Sequence, residues 1–250
     1  KTCYLLVKIK PLKTELGSLS PVLISANYLA QHNLVVTKHK TDVQIIGLIL
    51  SGVLFMMILF MLANFITSRK TEFLYNALYS ACMFILIYFN STVVRLATPF
   101  NNFYYSYFDF FLQVTGTIFY ISFARRFLDT KNNYALLDRI LKYAELFILL
   151  LLGVFTFLNF FTDSFLPQFY LESIIKILFL LLGVAFIYLA MKRNDRLFKY
   201  LAAGNAMLVL FSSISLVITV LNIKQSQLFL TGLFYYNTGI VLELIFFLLG

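Results

Sequence analysis

The sequence predicts an all-α membrane fold: a seven-transmembrane helix bundle, amino end outside and carboxy end inside, preceded by a short β fragment of an extracellular domain. Three observations predict it. Hydrophobic residues make up 61% of the 250 and charged residues only 12%, with 29 Phe and a mean hydropathy of +0.86. Soluble domains hold roughly 45–50% apolar and about 25% charged residues. Apolar runs recur seven times, each close to the roughly 20 residues that a helix needs to cross hydrocarbon. Lys and Arg gather in alternate loops between those runs, the asymmetry that marks the inner face of a membrane protein.

At the amino end, CYLLVKIK at 3–10 and SPVLISA at 20–26 are rich in Val, Leu and Ile and are separated by Pro11 and a Gly/Ser turn. They read as two short strands. Two strands are marginal alone, so residues 1–27 are assigned to the end of a larger β-rich domain that continues upstream. Residues 28–42 form a polar linker, and Thr41 and Asp42 have the side chains of helix N-caps.

The seven runs cover about 43–66, 73–93, 103–124, 143–161, 169–191, 200–221 and 234 to the end. Backbone polar groups in lipid must bond internally, so runs without strand alternation are helices. The seventh, FYYNTGIVLELIFFLLG, holds 17 residues and is expected to continue past Gly250. Orientation follows from charge. Loops after runs 1, 3 and 5 hold eleven Lys and Arg (Arg69, Lys70, Arg125, Arg126, Lys131, Arg139, Lys142, Lys192, Arg193, Arg196, Lys199), whereas loops after runs 2, 4 and 6 hold two, Arg95 and Lys224. The positive-inside rule then places a multi-pass protein in the inner, cytoplasmic membrane with its amino end outside. The same distribution accounts for the formal net charge of +9 without nucleic acid as a partner, since no continuous basic face exists. Membrane lipids are the partner the runs demand.

Few residues carry recognisable chemistry. There is no GxSxG, no HExxH and no phosphate-binding glycine loop, so no catalytic, cofactor or metal site is assigned and the chain is not read as an enzyme. His32 and His39 stand apart from any acidic or cysteine cluster, and Cys3 and Cys82 fall in settings too different for a bridge. The informative residues are ionisable ones inside the runs. Asp109 lies six residues into run 3, Lys176 seven into run 5 and Glu243 nine into run 7. At 1.5 Å per residue these are roughly 9–14 Å below the outer ends. Intramembrane charges face the bundle and pair, so Lys176 is expected to meet Glu243, Asp109 or both. Glu145 and Glu172 sit near run ends and are expected at the headgroups. Asn64, Gln113, Asn205, Ser212, Ser213 and Ser215 are placed to bond across helices. Ala77/Ala81 and Ala202/Ala206 give small-residue spacings for close packing within the chain, with a homodimer left open.

The order of parts, together with YISFARRFLDTKNNYALLDRILK at 120–142, KYLAAGNAMLVLFSSI at 199–214 and YNTGIVLELIFFLLG at 236–250, resembles the bacterial seven-transmembrane receptors with diverse intracellular signalling modules. The family's third helix ends in a similar aromatic, arginine and Phe-Leu pattern, here Phe123, Arg125, Phe127 and Leu128. Its seventh has a similar Gly-x-x-x-Glu spacing, here Gly239 and Glu243. YLLVKIKPLKTELGSLSPVLIS at 4–25 resembles the last strands of the family's extracellular sandwich. Asn132 and Asn133 stand where a proline is often found. The resemblance implies a receptor with a carbohydrate-binding-like sensor domain for an unknown small-molecule ligand. It implies a cytoplasmic signalling module in the same chain, such as a two-component histidine kinase or a diguanylate cyclase, that holds any catalysis.

The alternative reading is an ion- or proton-coupled small-molecule transporter using Asp109, Lys176 and Glu243. Against it, no internal repeat is visible, and Pro11, Pro21, Pro99 and Pro167 all lie outside the middle of a run. A light-driven pump would need a lysine in run 7, which has none. An intramembrane enzyme would need a nucleophile and base, and no such pair is apparent.

Overall fold

The computed structural model describes residues 26–92, 99–162, 165–191, 196–220 and 232–249. The predicted β segments lie almost entirely outside them, and among the described residues there is no strand. A 3-10 turn at Ala26–Tyr28 leads into α1, Leu29–Ser68. There follow α2 at Thr71–Thr92, α3 at Pro99–Phe103 and α4 at Asp109–Phe127. A π-helical turn, Tyr104–Phe108, joins α3 to α4 with helical dihedrals on both sides, so the two form one rod. The short α5, Thr130–Asn133, precedes α6 at Ala135–Phe161, α7 at Phe165–Met191, α8 at Arg196–Val220 and α9 at Gly232–Leu249.

Runs 1, 4 and 5 lie within α1, α6 and α7, run 3 follows the rod made by α3, the π turn and α4, and the described parts of runs 2, 6 and 7 lie on α2, α8 and α9. Four described stretches are long and apolar enough to cross a membrane: Gln44–Ser68, Thr71–Thr92, Ala135–Phe161 and Tyr170–Tyr188, with Phe234–Phe247 a shorter apolar helix. Runs 3 and 6, on α4 and α8, are interrupted by Gln113, Thr115 and Thr117 and by Asn205, Ser212, Ser213 and Ser215.

The start of the first helix corrects the sequence reading. Thr41 and Asp42 are not N-caps but lie inside α1, which begins at Leu29. No Gly or Pro occurs between Ala26 and Gly47, so nothing breaks the backbone there, and polar side chains are compatible with a helix that projects beyond the apolar zone.

Two tight reversals lie at the end of the bundle that carries most of the Lys and Arg, here called the basic end. Arg69 (φ 57°) and Asp129 (φ 44°) both adopt the left-handed conformation, which costs a non-glycine residue roughly 1–2 kcal/mol. At the first, Arg69 donates its backbone N–H to Phe65 O at 2.8 Å, ending α1 so that α2 restarts at Thr71.

The helices pack in sequence, α1 on α2, α2 on α4, α4 on α6, then α6, α7, α8 and α9 each on the next, and α9 closes the ring against α1 and α2. Ile87, Val114, Ile148, Ile175, Leu201, Ile240 and Leu244 fill the interior, while Phe55, Met56, Leu146, Leu150, Phe161 and Leu181 project outward. A helix apolar on every side belongs in a membrane. Lipid tails offer no hydrophobic drive for helices to associate, so close packing and interhelical hydrogen bonds hold such a ring. Ala77 and Ala202, each one half of a predicted small-residue pair, are buried.

Candidate functional site

α9 is where the ring closes, and its acid is the one fully buried carboxyl among the described residues. Glu243 has 0% exposure. Tyr79 on α2 donates its hydroxyl to Glu243 Oε2 at 2.5 Å. The Tyr120 ring, on α4, packs on Tyr79 with centroids 5.5 Å apart and stacks on Phe247 at 5.6 Å and 14°. Phe247 stands one helical turn after Glu243. Tyr236, two turns before it, accepts a hydrogen bond from Gln113 Nε2 of α4 at 2.9 Å. Tyr120 and Tyr236 both lie within electrostatic reach of the Glu243 carboxyl. Three helices thus meet through Tyr79, Tyr120 and Glu243.

A fourth, α8, comes in through missing side chains. A Cβ on Gly204 would stand 2.9 Å from the Glu243 backbone O and 3.0 Å from the Phe247 ring. One on Gly239 would stand 2.9 Å from Phe211 Cβ. Such separations are below van der Waals contact, so glycine on both helices permits the approach of α8 and α9 that seats the acid. Asn205, next to Gly204, donates Nδ2 to Gly183 O at 3.3 Å and ties α8 to α7.

A second polar node lies at the basic end. Arg125 at the close of α4 donates Nε to Asp138 Oδ1 at 3.0 Å and Nη1 to Glu145 Oε2 at 2.8 Å, both on α6. Ser122 Oγ donates to Glu145 Oε1 at 2.7 Å, and Thr130 Oγ1 to Asp138 Oδ1 at 2.8 Å. The side chains of this trio are 20–25% exposed. Arg126 turns the other way, donating Nη1 to Thr71 Oγ1 at 2.6 Å, with its guanidinium 4.6 Å from the Tyr75 ring centroid on α2. Consecutive arginines therefore fasten α4 to α6 and to α2.

The three residues singled out from the sequence take different positions. Glu243 is central. Lys176 is 43% exposed and its ion pair, at 2.6 Å, is with Glu172 one turn earlier on α7; its stem leads the ammonium towards the helix end rather than into the bundle, as long cationic side chains do in membranes. Asp109, half-buried at the start of α4, lies within electrostatic reach of Tyr104 and Tyr236. It precedes Tyr120 by eleven positions, about 16 Å along the helix. Tyr236 bonds Gln113, one turn after Asp109, and Phe247 stacks on Tyr120, so Glu243, which lies between Tyr236 and Phe247, sits nearer the basic end than Asp109 does, and the expected common depth is not observed. Gln113 and Asn205 bond across helices as expected, whereas Asn64 and Ser213 bond to carbonyls of their own helices, Phe60 O and Val209 O. Glu145, expected at the headgroups, belongs to the Arg125 node at the basic end.

Tyr79 and Tyr120 were not singled out from the sequence. The available signal was chemical: a tyrosine inside an apolar run needs a partner for its hydroxyl once buried.

A family model described as 7TM diverse intracellular signalling matches residues 44–250. No curated protein matches the chain, and no solved structure does.

Proposed function

Because the chain belongs to the 7TM diverse intracellular signalling family, we propose that it is the transducing bundle of a receptor. In this reading residues 1–27 close an extracellular β-sandwich sensor, 28–42 link it to the membrane, and 43–250 relay ligand binding to a signalling module on the cytoplasmic side. The eleven to two division of Lys and Arg between alternate loops supports an amino end outside and a carboxy end inside. Any catalysis belongs to the signalling module, for which a histidine kinase or a diguanylate cyclase is the natural type.

The observation that carries the mechanism is the junction at Glu243. α9 is the last helix before the proposed module, and its acid touches α2 through Tyr79 and lies against α4 through Tyr120. A transducer needs two arrangements of similar free energy, one of which the ligand favours by its differential affinity. A single hydrogen bond between α9 and α2, seated by glycine contacts with α8, is a contact that a small slide of α9 makes or breaks. Motion entering from α1, which packs on both α2 and α9, reaches the same place.

The test is output from the full-length protein, as autophosphorylation or as second-messenger synthesis according to its module, for wild type and Tyr79→Phe. A shift of at least threefold in basal output or in ligand response, at equal membrane expression, is expected. Unchanged output on both counts removes the junction from the mechanism. Orientation is tested separately with single cysteines: an impermeant maleimide should reach Lys224→Cys from outside cells and Lys131→Cys only after permeabilisation.

A further inference from the structure

We infer that Glu243 is a proton-binding site, neutral at physiological pH, held by the Tyr79 hydroxyl with Tyr120 near it. The geometry carries this. A carboxylate offers about four lone-pair sites, and when buried it is held by several donors and a cation. Glu243, without solvent exposure, has one hydrogen bond, from Tyr79 to Oε2. Its Oε1 has no partner among the described residues. Among the described residues, the groups that face it are Tyr79 from α2, Tyr120 from α4 and Tyr236 from its own helix, and from α8 the backbone at Gly204. None of these is a cation, and Lys176 is paired with Glu172 on α7. An ionised Glu243 would be a charge in an apolar interior with one neutral donor, whereas a protonated one leaves only a neutral oxygen short of a bond.

Tyr120 makes the site responsive. Its buried hydroxyl also has no partner among the described residues, while its ring stacks on Phe247, one turn beyond the acid. When the O–H bond of the Glu243 carboxyl breaks and its proton passes to water, the carboxylate left behind gains from a second donor. Tyr120, within electrostatic reach of the carboxyl and with its hydroxyl unpartnered among the described residues, is the group to supply it. Binding or losing one proton thereby alters how α4 holds α9. This chemistry is independent of the receptor reading, because a neutral carboxyl can be observed whatever the output module does.

Infrared spectroscopy of the whole protein in lipid membranes at neutral pH tests it. The carbonyl stretch of a protonated carboxylic acid is resolved from that of a carboxylate and shifts on exchange into deuterated water. The expected result is such a band in wild type, its loss in Glu243→Gln and its return at a displaced frequency in Glu243→Asp, which covers the case that the amide fails to fold. A band retained in Tyr79→Phe is also expected, since a neutral acid does not need that donor to stay neutral. A wild-type spectrum from which neither Glu243→Gln nor Glu243→Asp removes or displaces a protonated-carboxyl band overturns the inference.

Discussion

The Glu243 and Arg125 nodes hold carboxyl groups in opposite ways. Asp138 and Glu145 share one guanidinium and take further bonds from Thr130 and Ser122, with side chains 20–25% exposed. Glu243, at 0% exposure, has one tyrosine hydroxyl and no facing cation among the described residues. The difference teaches that access to water, more than residue type, selects the partner. Near the bundle end, water and headgroups lower the cost of keeping both members of an ion pair charged. Deeper in, a second long charged side chain would bring its own desolvation penalty of several kcal/mol. Tyrosine, apolar in body and polar at its tip, fits an apolar interior and still offers a hydrogen bond.

Substitutions at four positions break or sharpen this contrast. Gly204→Leu should have the largest effect, because its Cβ would collide with the Glu243 backbone O and push α8 from α9. A loss of about 3 kcal/mol is expected, the upper part of the overpacking range, read from unfolding in detergent. In that background Tyr79→Phe should cost nothing further, since the hydrogen bond is already lost.

Arg125→Ala comes next. It leaves two partly exposed carboxylates without their cation and should cost about 1–2 kcal/mol after allowance for solvent screening. The loss should shrink at high salt, and Arg125→Lys should recover only part of it, because an ammonium cannot reproduce the guanidinium fork that reaches both acids. Tyr79→Phe in the wild-type background should cost about 1 kcal/mol, typical of one buried neutral hydrogen bond, with no dependence on salt. Equal salt dependence for Arg125→Ala and Tyr79→Phe, measured by the same unfolding assay, would erase the distinction between the nodes. Lys176→Met should be smallest, within about 0.5 kcal/mol, as befits an ion pair one helical turn apart whose lysine is 43% exposed.

How much was legible in advance differs along the chain. The seven apolar runs announced the long helices because a stretch that must satisfy its backbone in lipid has little other choice. Glu243 could be noticed because a charge inside such a run is costly. Lys176 satisfied the same criterion, yet it faces outward and pairs along its own helix. Runs 5 and 7 are so uniformly apolar that no stripe of polar residues tells which side of the helix turns inward. The beginning of α1 was misplaced for a related reason: Thr41 and Asp42 have capping side chains, but capping requires that the helix start there, and no upstream breaker enforces it.

By itself, then, the sequence determined that the membrane part of the chain is built from helices, how many long apolar segments it has, and which alternate connections carry the cations, all properties of local composition against a fixed bilayer thickness. Only the tertiary structure decided that Glu243 meets Tyr79 rather than Lys176, that Gly204 and Gly239 admit α8 to the site, and that Arg125 serves two acids of α6. Those outcomes depend on the rotation and depth of each helix against its neighbours. They are set by the summed packing of whole helix faces, which no single segment encodes.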